Sequence, residues 1–282
     1  MSSSARVGLC TDSNAQLPAG LVDRFGVEIV PVTITLDHEE YLEGVDLDAD
    51  AFYARFDNGA RPEIATSQPS PGQFALAYEE LLDRGCTEIL SIHVASSVSG
   101  TLNSARLAAH RLGAPVRVVD SGTASFGIGC CIWAAGEALE RGATIDEAAT
   151  VAESLGPTVG NVFIVSSLDL LSAGGRLAAD ATACRIPVLE MRNGVVEVVA
   201  EVDTVLDAVN TMAGVIVGHG THLKVAVGHA DATTERIAAA LELAVGETAG
   251  VDEVIRYRVG PSVGAHMGPG TVGCFMFPAT AT

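Results

Sequence analysis

Apolar positions along the chain follow two periods, and their order predicts the elements of the fold. Short apolar runs such as residues 7–10, 88–94 and 116–119 have the length of buried strands. Residues 70–85 instead place apolar side chains at helical spacing, between an initial Ser-Pro and a final Gly. Because such strands and helices alternate as far as residue 156, the first half predicts βαβ units around a mainly parallel sheet. The β-branched run at 27–37 predicts one further strand.

The second half follows a different pattern. Asn193-Gly194 stands between alternating apolar residues, which is the strongest short-range indication of a β-hairpin. Residues 222–258 then give strand, helix and strand, so this half predicts a mixed sheet. Since 282 residues exceed the usual size of one domain, we expect two α/β domains, at 1–157 and 158–282. No low-complexity linker separates them.

Composition and charge narrow the range of partners. The net charge of −19 argues against nucleic acid, whose phosphates need a basic surface, but not against a small anionic ligand held by a few local donors. No apolar run reaches the roughly 20 residues of a membrane span, and the first residues lack the features of a signal peptide, so we expect no stable membrane insertion and a cytoplasmic location. The six cysteines contain no C-x-x-C pair and are expected to be small core residues.

Hydroxyl-rich stretches follow several predicted strands. Ligands of open α/β sheets bind beyond the carboxyl ends of the strands, so five such stretches predict a polar site, although each one alone is more typical of a helix cap. They are residues 11–18, 65–74, 95–105, 119–127 and 165–177.

Common catalytic patterns are missing from these stretches. The chain has no phosphate-binding G-x-x-x-x-G-K-[ST] loop and no G-x-S-x-G nucleophile turn. Asp12, Asp120 and Asp169 are possible catalytic carboxylates, but their neighbours favour turns. A metal site among the histidines of residues 219–229 is conceivable, but no carboxylate completes it at a convincing spacing, so core or surface histidines are favoured.

Taken together, the polar stretches resemble the signatures of the DegV family from about residue 6 to residue 277. The most specific blocks are T-S-Q-P-S and G-A-H-M-G-P-G-T-V-G; the others are weak alone. In order, the matching stretches are TDSNAQLP (11–18), TSQPSPGQF (66–74), SSVSGTLNSA (96–105), VVDSGTASFGIG (118–129), SSLDLLSAGGRL (166–177) and VGAHMGPGTVG (263–273).

The resemblance implies a DegV-like fold of two α/β domains that holds one long-chain fatty acid in a tunnel at or near the domain junction. It also implies an acyl-carrier subunit of a bacterial fatty acid kinase, acting in phospholipid metabolism. A separate kinase subunit would phosphorylate the bound carboxylate, so the carrier itself would not be an enzyme. The expected ligand is of the palmitate, stearate or oleate type, with no cofactor and no metal.

The same resemblance assigns the ligand contacts. Thr66 and a serine, Ser97 or Ser99 with Ser99 preferred, would donate to the carboxylate, together with His266. Arg176 would support this head-group network. The complete fatty-acid-binding set is Thr66, Ser67, Ser97, Ser99, Arg176, His266 and Met267. Apolar residues from both halves would line the tunnel, with Phe163, Ile164, Leu168 and Met267 as candidates.

Two alternatives and one departure accompany this expectation. The chain could be a small-molecule enzyme or phosphotransfer protein of a related α/β fold, or a sensor that binds fatty acids without passing them on. Many relatives carry a lysine-rich segment after the hairpin, where this chain has VVAEVDTVLDAVN (198–210), with acidic residues and no basic one. That change concerns the surface facing a partner and leaves the expected lipid contacts in place.

Overall fold

The computed structural model of the chain describes residues 6–173, 185–192 and 195–279, and it contains both predicted classes of sheet. The strands are β1 (Val7–Asp12), β2 (Glu28–Val30), β3 (Thr33–Leu36), β4 (Glu39–Leu42), β5 (Ile64–Ser67), β6 (Glu88–His93), β7 (Val116–Asp120), β8 (Gly160–Ile164), β9 (Ile186–Arg192), β10 (Val195–Val202), β11 (Leu223–His229), β12 (Val251–Arg258) and β13 (Val272–Pro278).

The helices lie between these strands, and two of them begin with capping boxes. They are α1 (Ala19–Phe25), α2 (Ala49–Tyr53), α3 (Pro71–Asp83), α4 (Thr101–Ala109), α5 (Phe126–Glu140), α6 (Ile145–Leu155), α7 (Asp169–Ala173), α8 (Val205–His219), α9 (Glu235–Gly246) and α10 (Pro261–Met267). Ser70 caps α3 and Thr144 caps α6, each through a capping box in which the side chain three residues later returns a hydrogen bond.

The chain divides into two compact units. Among the described residues, unit 1 contains those from Arg6 to Ile34 and Thr66–Thr158, and unit 2 contains Thr35–Ala65 and those from Val159 to Ala279. The second half of the chain therefore begins its own unit close to the predicted boundary at 157/158. The stretch Thr35–Ala65, expected within the first domain, groups with the second unit instead.

Unit 1 is built on a four-stranded sheet in the order β2-β1-β6-β7, and every pairing in it is parallel. The helix pairs α3–α4 and α5–α6 pack against it. Alternate strand residues such as Cys10 and Ile89 join Phe74 and Tyr78 of α3 in one core cluster. The parallel sheet and its helices confirm the α/β class expected of the first half.

Unit 2 contains a six-stranded mixed sheet in the order β10-β9-β8-β13-β11-β12, in which only β11 and β12 pair in parallel. The predicted hairpin is confirmed by the antiparallel pairing of β9 and β10, with Arg192 opposite Val195, while Asn193 and Gly194 lie outside the described residues. Helices α8 and α9 cover one face through a core that includes Val162, Val188 and Val225.

The prediction of a single strand at residues 27–37 was wrong. It is two strands, β2 and β3, which belong to different sheets and are separated by Pro31 and Val32. Proline has no backbone N–H to donate to a ladder, so a proline inside an apolar run favours a break between strands. The third sheet, in the order β4-β3-β5, contains this second half of the run.

Candidate functional site

Two loops of unit 1 carry the hydroxyls that the sequence assigns to a ligand. Thr66 and Ser67 end β5, just before the capping box of α3. Thr66 is half-buried and Ser67 is exposed. Among the described residues neither hydroxyl has a hydrogen-bond partner. Both O–H groups are therefore available to a ligand oxygen.

The loop between β6 and α4 distinguishes Ser99 from Ser97. Ser99 Oγ lies 2.8 Å from Thr101 Oγ1 and accepts the backbone N–H of Thr101 at 3.3 Å. Thr101 is fully buried, so it fixes the direction of the Ser99 side chain. When the Thr101 hydroxyl donates to it, Ser99 Oγ accepts two hydrogen bonds and its own proton points elsewhere. Ser97 is exposed and has no such support in the described part of the chain.

Asp120 holds the start of this loop rather than a reacting group. Its carboxylate accepts the backbone N–H of Ser96 at 3.3 Å and the Ser96 hydroxyl at 2.5 Å, and it also accepts the N–H of Gly122 at 3.0 Å. Asp169 at the start of α7 is exposed and pairs with Arg61 at 3.3 Å. These contacts are typical of turn and cap residues.

A buried polar chain beneath the β6–α4 loop was not foreseen from the sequence. Asp12 Oδ2 lies 2.9 Å from His93 Nδ1, His93 Nε2 lies 2.6 Å from Ser91 Oγ, and Ser91 Oγ lies 2.9 Å from the Tyr78 hydroxyl. Asp12 also accepts the backbone N–H of Val94 at 3.3 Å. Burial raises the pKa of the Tyr78 phenol, so this group stays protonated.

The order carboxylate, imidazole, hydroxyl is the order of a hydrolase triad, but its surroundings exclude that chemistry. Asp12, Ser91 and His93 are each 0% exposed, and the Phe74 ring stands edge-on to His93 at 4.9 Å. A nucleophile must reach its substrate. The chain therefore joins β1, β6 and α3 as a satisfied polar network in the core.

The described thiols are equally unsuited to nucleophilic chemistry. Burial raises the pKa of Cys10, Cys130 and Cys274 well above the ordinary thiol value, and raises that of Cys131 to about 12. Since the thiolate is the reactive form, these groups behave as small core residues.

In unit 2 the helix α10 carries His266 and Met267 near its end. Its first turn is anchored by Glu43, a buried carboxylate from the stretch Thr35–Ala65. Glu43 Oε1 accepts the backbone N–H of Ser262 at 2.8 Å and the Ser262 hydroxyl at 2.9 Å. Gly264 faces Tyr53, because a Cβ on Gly264 would lie 2.6 Å from the Tyr53 hydroxyl. Neighbouring side chains thus fix α10 on two sides.

The turn after α10 is held by Asp231. Asp231 Oδ2 accepts the backbone N–H of Gly270 at 2.6 Å, and Oδ1 accepts the N–H and hydroxyl of Thr233 at 2.8 and 2.5 Å. Burial alone would raise the pKa of Asp231, but these hydrogen bonds outweigh it and hold the pKa below its ordinary value. Gly270 has φ = 77°, which suits glycine. A Cβ there would also lie 2.5 Å from Ser166 Cβ.

The candidate tunnel residues divide between the two faces of the mixed sheet. Phe163, Leu168 and Met267 are partly buried against a cluster formed by Val165, Leu171, Leu189 and Val196. Ile164 instead belongs to the core beneath α8 and α9, because neighbouring residues of a strand point to opposite faces. Met191 and Val198 complete the partly buried rim of the first cluster. We call this set, centred on Val165 and Leu189, the apolar face of unit 2.

The other residues considered in the sequence analysis are Arg176 and the histidines of residues 219–229. Arg176 lies outside the described residues. His222 pairs with Asp252 at 3.2 Å on the surface, and burial together with Arg258 and Arg256 lowers the pKa of His229. Within residues 6–173, 185–192 and 195–279, no three His, Cys, Asp or Glu side chains gather as a metal site. No helix in the same ranges has the length and apolar character needed to cross a bilayer.

Comparison with protein families gives one match that spans nearly the whole chain. Residues 6–279 match the model of a family described as "Uncharacterised protein, DegV family". Among curated proteins, a DegV domain-containing protein of Streptomyces coelicolor is 33% identical over 278 residues, which are 96% of this chain and 98% of that protein.

Solved structures of the same fold cover the chain equally well. A DegV family protein from Thermus thermophilus, described as binding fatty acid, has a TM-score of 0.87 and 29% identity over 97% of this chain and 99% of its own. A Thermotoga maritima protein described as having a fatty acid binding function has a TM-score of 0.84 and 26% identity, over 97% and 99%. These similarities confirm the DegV-like α/β fold class with a parallel sheet and a mixed sheet.

Proposed function

Because this chain belongs to the DegV family, we propose that it binds one long-chain fatty acid, with the carboxylate held by hydroxyls and an imidazole and the acyl chain against apolar side chains. The observation that supports this most directly is the likeness, over nearly the whole chain, to the Thermus thermophilus protein described as binding fatty acid. The residues that we propose to contact the ligand are taken from the resemblance of the sequence motifs to those of the family.

For the head group we propose Thr66, Ser99 and His266, with Ser67 and Arg176 in support. A carboxylate taken from water needs several donors, since an unpaired buried charge is prohibitively costly. The hydroxyl of Thr66, which has no hydrogen-bond partner in the part of the chain that the structure describes, and the oriented hydroxyl of Ser99 each offer one donor. Ser97 is exposed and lacks a comparable support, so we assign it no more than a minor part.

For the acyl chain we propose the apolar face of unit 2, where Phe163, Leu168 and Met267 are only partly buried. Met267 directly follows His266, so a tail placed here begins beside the proposed head-group histidine. At about 0.8 kcal/mol per buried CH₂, fifteen methylenes would contribute about 12 kcal/mol before the costs of ordering. The apolar term then dominates affinity, and the polar term sets orientation.

We also propose that the bound carboxylate is presented to a separate kinase subunit. In that reaction a carboxylate oxygen attacks the γ-phosphorus of ATP, the bond to ADP breaks, and an acyl phosphate and ADP form. The segment around the start of α8 differs from the lysine-rich pattern of many relatives: Asp203, which precedes the helix, pairs with Arg185, and Asp207 in its first turn accepts the Thr204 hydroxyl at 2.6 Å. A kinase that contacts this surface would therefore meet acidic groups.

Native mass spectrometry of the purified protein tests the binding proposal. We expect a co-purified mass in the long-chain fatty acid range, and rebinding of palmitate or oleate to delipidated protein. Thr66→Ala, Ser99→Ala and His266→Ala should each weaken binding about tenfold or more, because each removes a hydrogen bond to a charged group. Ser97→Ala is the matched control and should change the dissociation constant less than about twofold.

The melting temperatures of the four variants show whether folding is intact. Unchanged binding in both Thr66→Ala and His266→Ala would defeat the head-group assignment. Addition of a kinase subunit with ATP then separates a carrier, which yields acyl phosphate, from a sensor, which does not. A delipidated wild-type protein that binds no fatty acid would leave a small-molecule enzyme or phosphotransfer protein as the better account.

A further inference from the structure

Gln68 connects the two hydroxyl-bearing loops of unit 1. It stands two residues after Thr66 and two before Ser70, the capping residue of α3. Its side chain reaches away from its own loop to α4, where Nε2 donates to Ser104 Oγ at 3.2 Å. Ser104 is almost fully buried, at 2% exposure, so the acceptor is fixed in the core.

The other half of the Gln68 amide occupies the space beside Gly100. A Cβ built on Gly100 would lie 2.0 Å from Gln68 Oε1 and 2.8 Å from Gln68 Cδ. The φ of Gly100 is −78°, which any residue adopts, so the backbone conformation does not explain the glycine. The glycine instead leaves room for the carboxamide, which lies directly against the backbone of the loop, and a methyl group there would displace the end of the Gln68 side chain.

Gly100 immediately follows Ser99, and Thr66 is two residues before Gln68. The amide therefore ties the Thr66 loop to the Ser99 loop at the points where each carries its candidate donor. Two donors that act on one carboxylate must lie within hydrogen-bond distance of its oxygens simultaneously. Small displacements of supporting groups are known to cost much of the effect of such a site.

We propose that Gln68 is a positioning residue for the fatty acid carboxylate, which it serves by fixing the Thr66 loop against the Ser99 loop. The inference rests on the proposed function, because it assigns a role toward the same ligand. Gln68 need not touch that ligand: its amide nitrogen is directed at Ser104 and its oxygen lies at Gly100.

The test uses variants that break the connection from either side. Gln68→Ala removes the amide, Ser104→Ala removes its buried acceptor, and Gly100→Ala places a methyl group where the amide oxygen lies. We expect each to weaken binding of oleate to the delipidated full-length protein about fivefold or more. The double variant Gln68→Ala/Ser104→Ala should be no weaker than the single ones, because both remove the same contact.

Gln73→Ala is the matched control. Gln73 is also a glutamine of this region, but it completes the capping box of α3, where its Oε1 accepts the backbone N–H of Ser70 at 2.9 Å. Its loss should lower the melting temperature and leave the dissociation constant for oleate within about twofold of wild type. A general loosening of α3 would instead reduce binding in Gln68→Ala and Gln73→Ala alike, and would overturn the proposal.

The carboxyl carbon of oleate labelled with ¹³C at C1 gives a spectroscopic readout that a merely structural role would not move. We expect Gln68→Ala and Ser104→Ala to shift this resonance in the saturated complex, and Gln73→Ala to leave it unchanged. Wild-type binding and shift in Gln68→Ala and Ser104→Ala, with weak binding in Thr66→Ala and Ser99→Ala, would overturn this inference alone. Absence of oleate binding by the wild-type protein would instead refute the proposed function.

Discussion

The hydroxyl-bearing loops of unit 1 and the helix α10 of unit 2 are held in place by different chemistry. In unit 1 the neutral amide of Gln68 joins the Thr66 loop to the Ser99 loop. In unit 2 two carboxylates do the comparable work, since Glu43 accepts from the first turn of α10 and Asp231 accepts from the turn that follows it. Proposed donors of one carboxylate thus depend on neutral contacts in one unit and on anions in the other.

This difference has a physical consequence for Thr66 and Ser99 in unit 1 and another for His266 in unit 2. A neutral support adds no charge near a ligand carboxylate, so it acts through position alone. The pKa of Asp231 is held below its ordinary value by the hydrogen bonds it accepts, so its support depends on ionisation and responds to pH. We therefore expect the contribution of Thr66 and Ser99 to be sensitive to steric changes, and that of His266 to be sensitive also to the loss of negative charge around α10.

The largest effect is expected from Asp12, the buried carboxylate among the described residues of unit 1. Asp12→Ala removes the partner of His93 Nδ1 in the core and the acceptor of the Val94 N–H. We expect a loss of about 3–5 kcal/mol in the free energy of unfolding, measured by urea denaturation, because one partner of a fully buried pair is removed. Asp23→Ala, at an exposed position of α1, is the control and should stay within about 0.5 kcal/mol of wild type. A small loss in Asp12→Ala would show that the network contributes little.

The second largest effect on the free energy of unfolding is expected from Glu43. Glu43→Ala removes the acceptor of both Ser262 donors, so we expect a loss of about 2–3 kcal/mol in the free energy of unfolding and weaker binding of fatty acid. Glu43→Gln keeps an oxygen at the same place and should recover most of the stability. If Glu43→Gln is as unstable as Glu43→Ala, the charge rather than the two hydrogen bonds anchors α10.

Asp231 gives the smallest effect and the one that depends on pH. Its pKa in the folded protein is lowered, so the folded state is stabilised above the ordinary aspartate pKa, and this contribution is lost as the pH falls through the lowered value. Asp231→Asn should cost about 0.5–1.5 kcal/mol near pH 7, through loss of a hydrogen bond such as that from Gly270. The gap between the two proteins should begin to narrow as the pH falls below about 4, and it should close below the lowered pKa, in a series of thermal melts. A gap that stays constant with pH would contradict this origin.

Local signals carried most of what the sequence could predict. The capping boxes at Ser70 and Thr144, the hairpin around Asn193-Gly194 and the alternation of strands and helices each depend on residues close together in the chain, and the structure contains them. The contact between Ser99 and Thr101 is also local, because the two residues stand two positions apart, while the preference for Ser99 over Ser97 as a ligand contact stays a prediction.

Distant partners account for what the sequence could not predict. Glu43 and Ser262 are 219 residues apart, Asp12 and His93 are 81 apart, and Gln68 and Ser104 are 36 apart. No local pattern in the sequence indicates that these residues are partners, because only the folded chain brings them together. Likewise Thr35–Ala65 carries no marker of its grouping with unit 2, although Glu43 in it contacts α10.

Because Gln68 lies close to Gly100, the residues that one position tolerates depend on the residue at the other. While the amide keeps its present place, a methyl group at position 100 would overlap its oxygen, and the three heavy atoms nearest to that position all belong to Gln68. Shortening Gln68 removes this overlap, whereas alanine at position 100 cannot replace the amide that Gln68→Ala removes. In selected libraries, residues larger than glycine at position 100 should therefore occur together with short side chains at position 68.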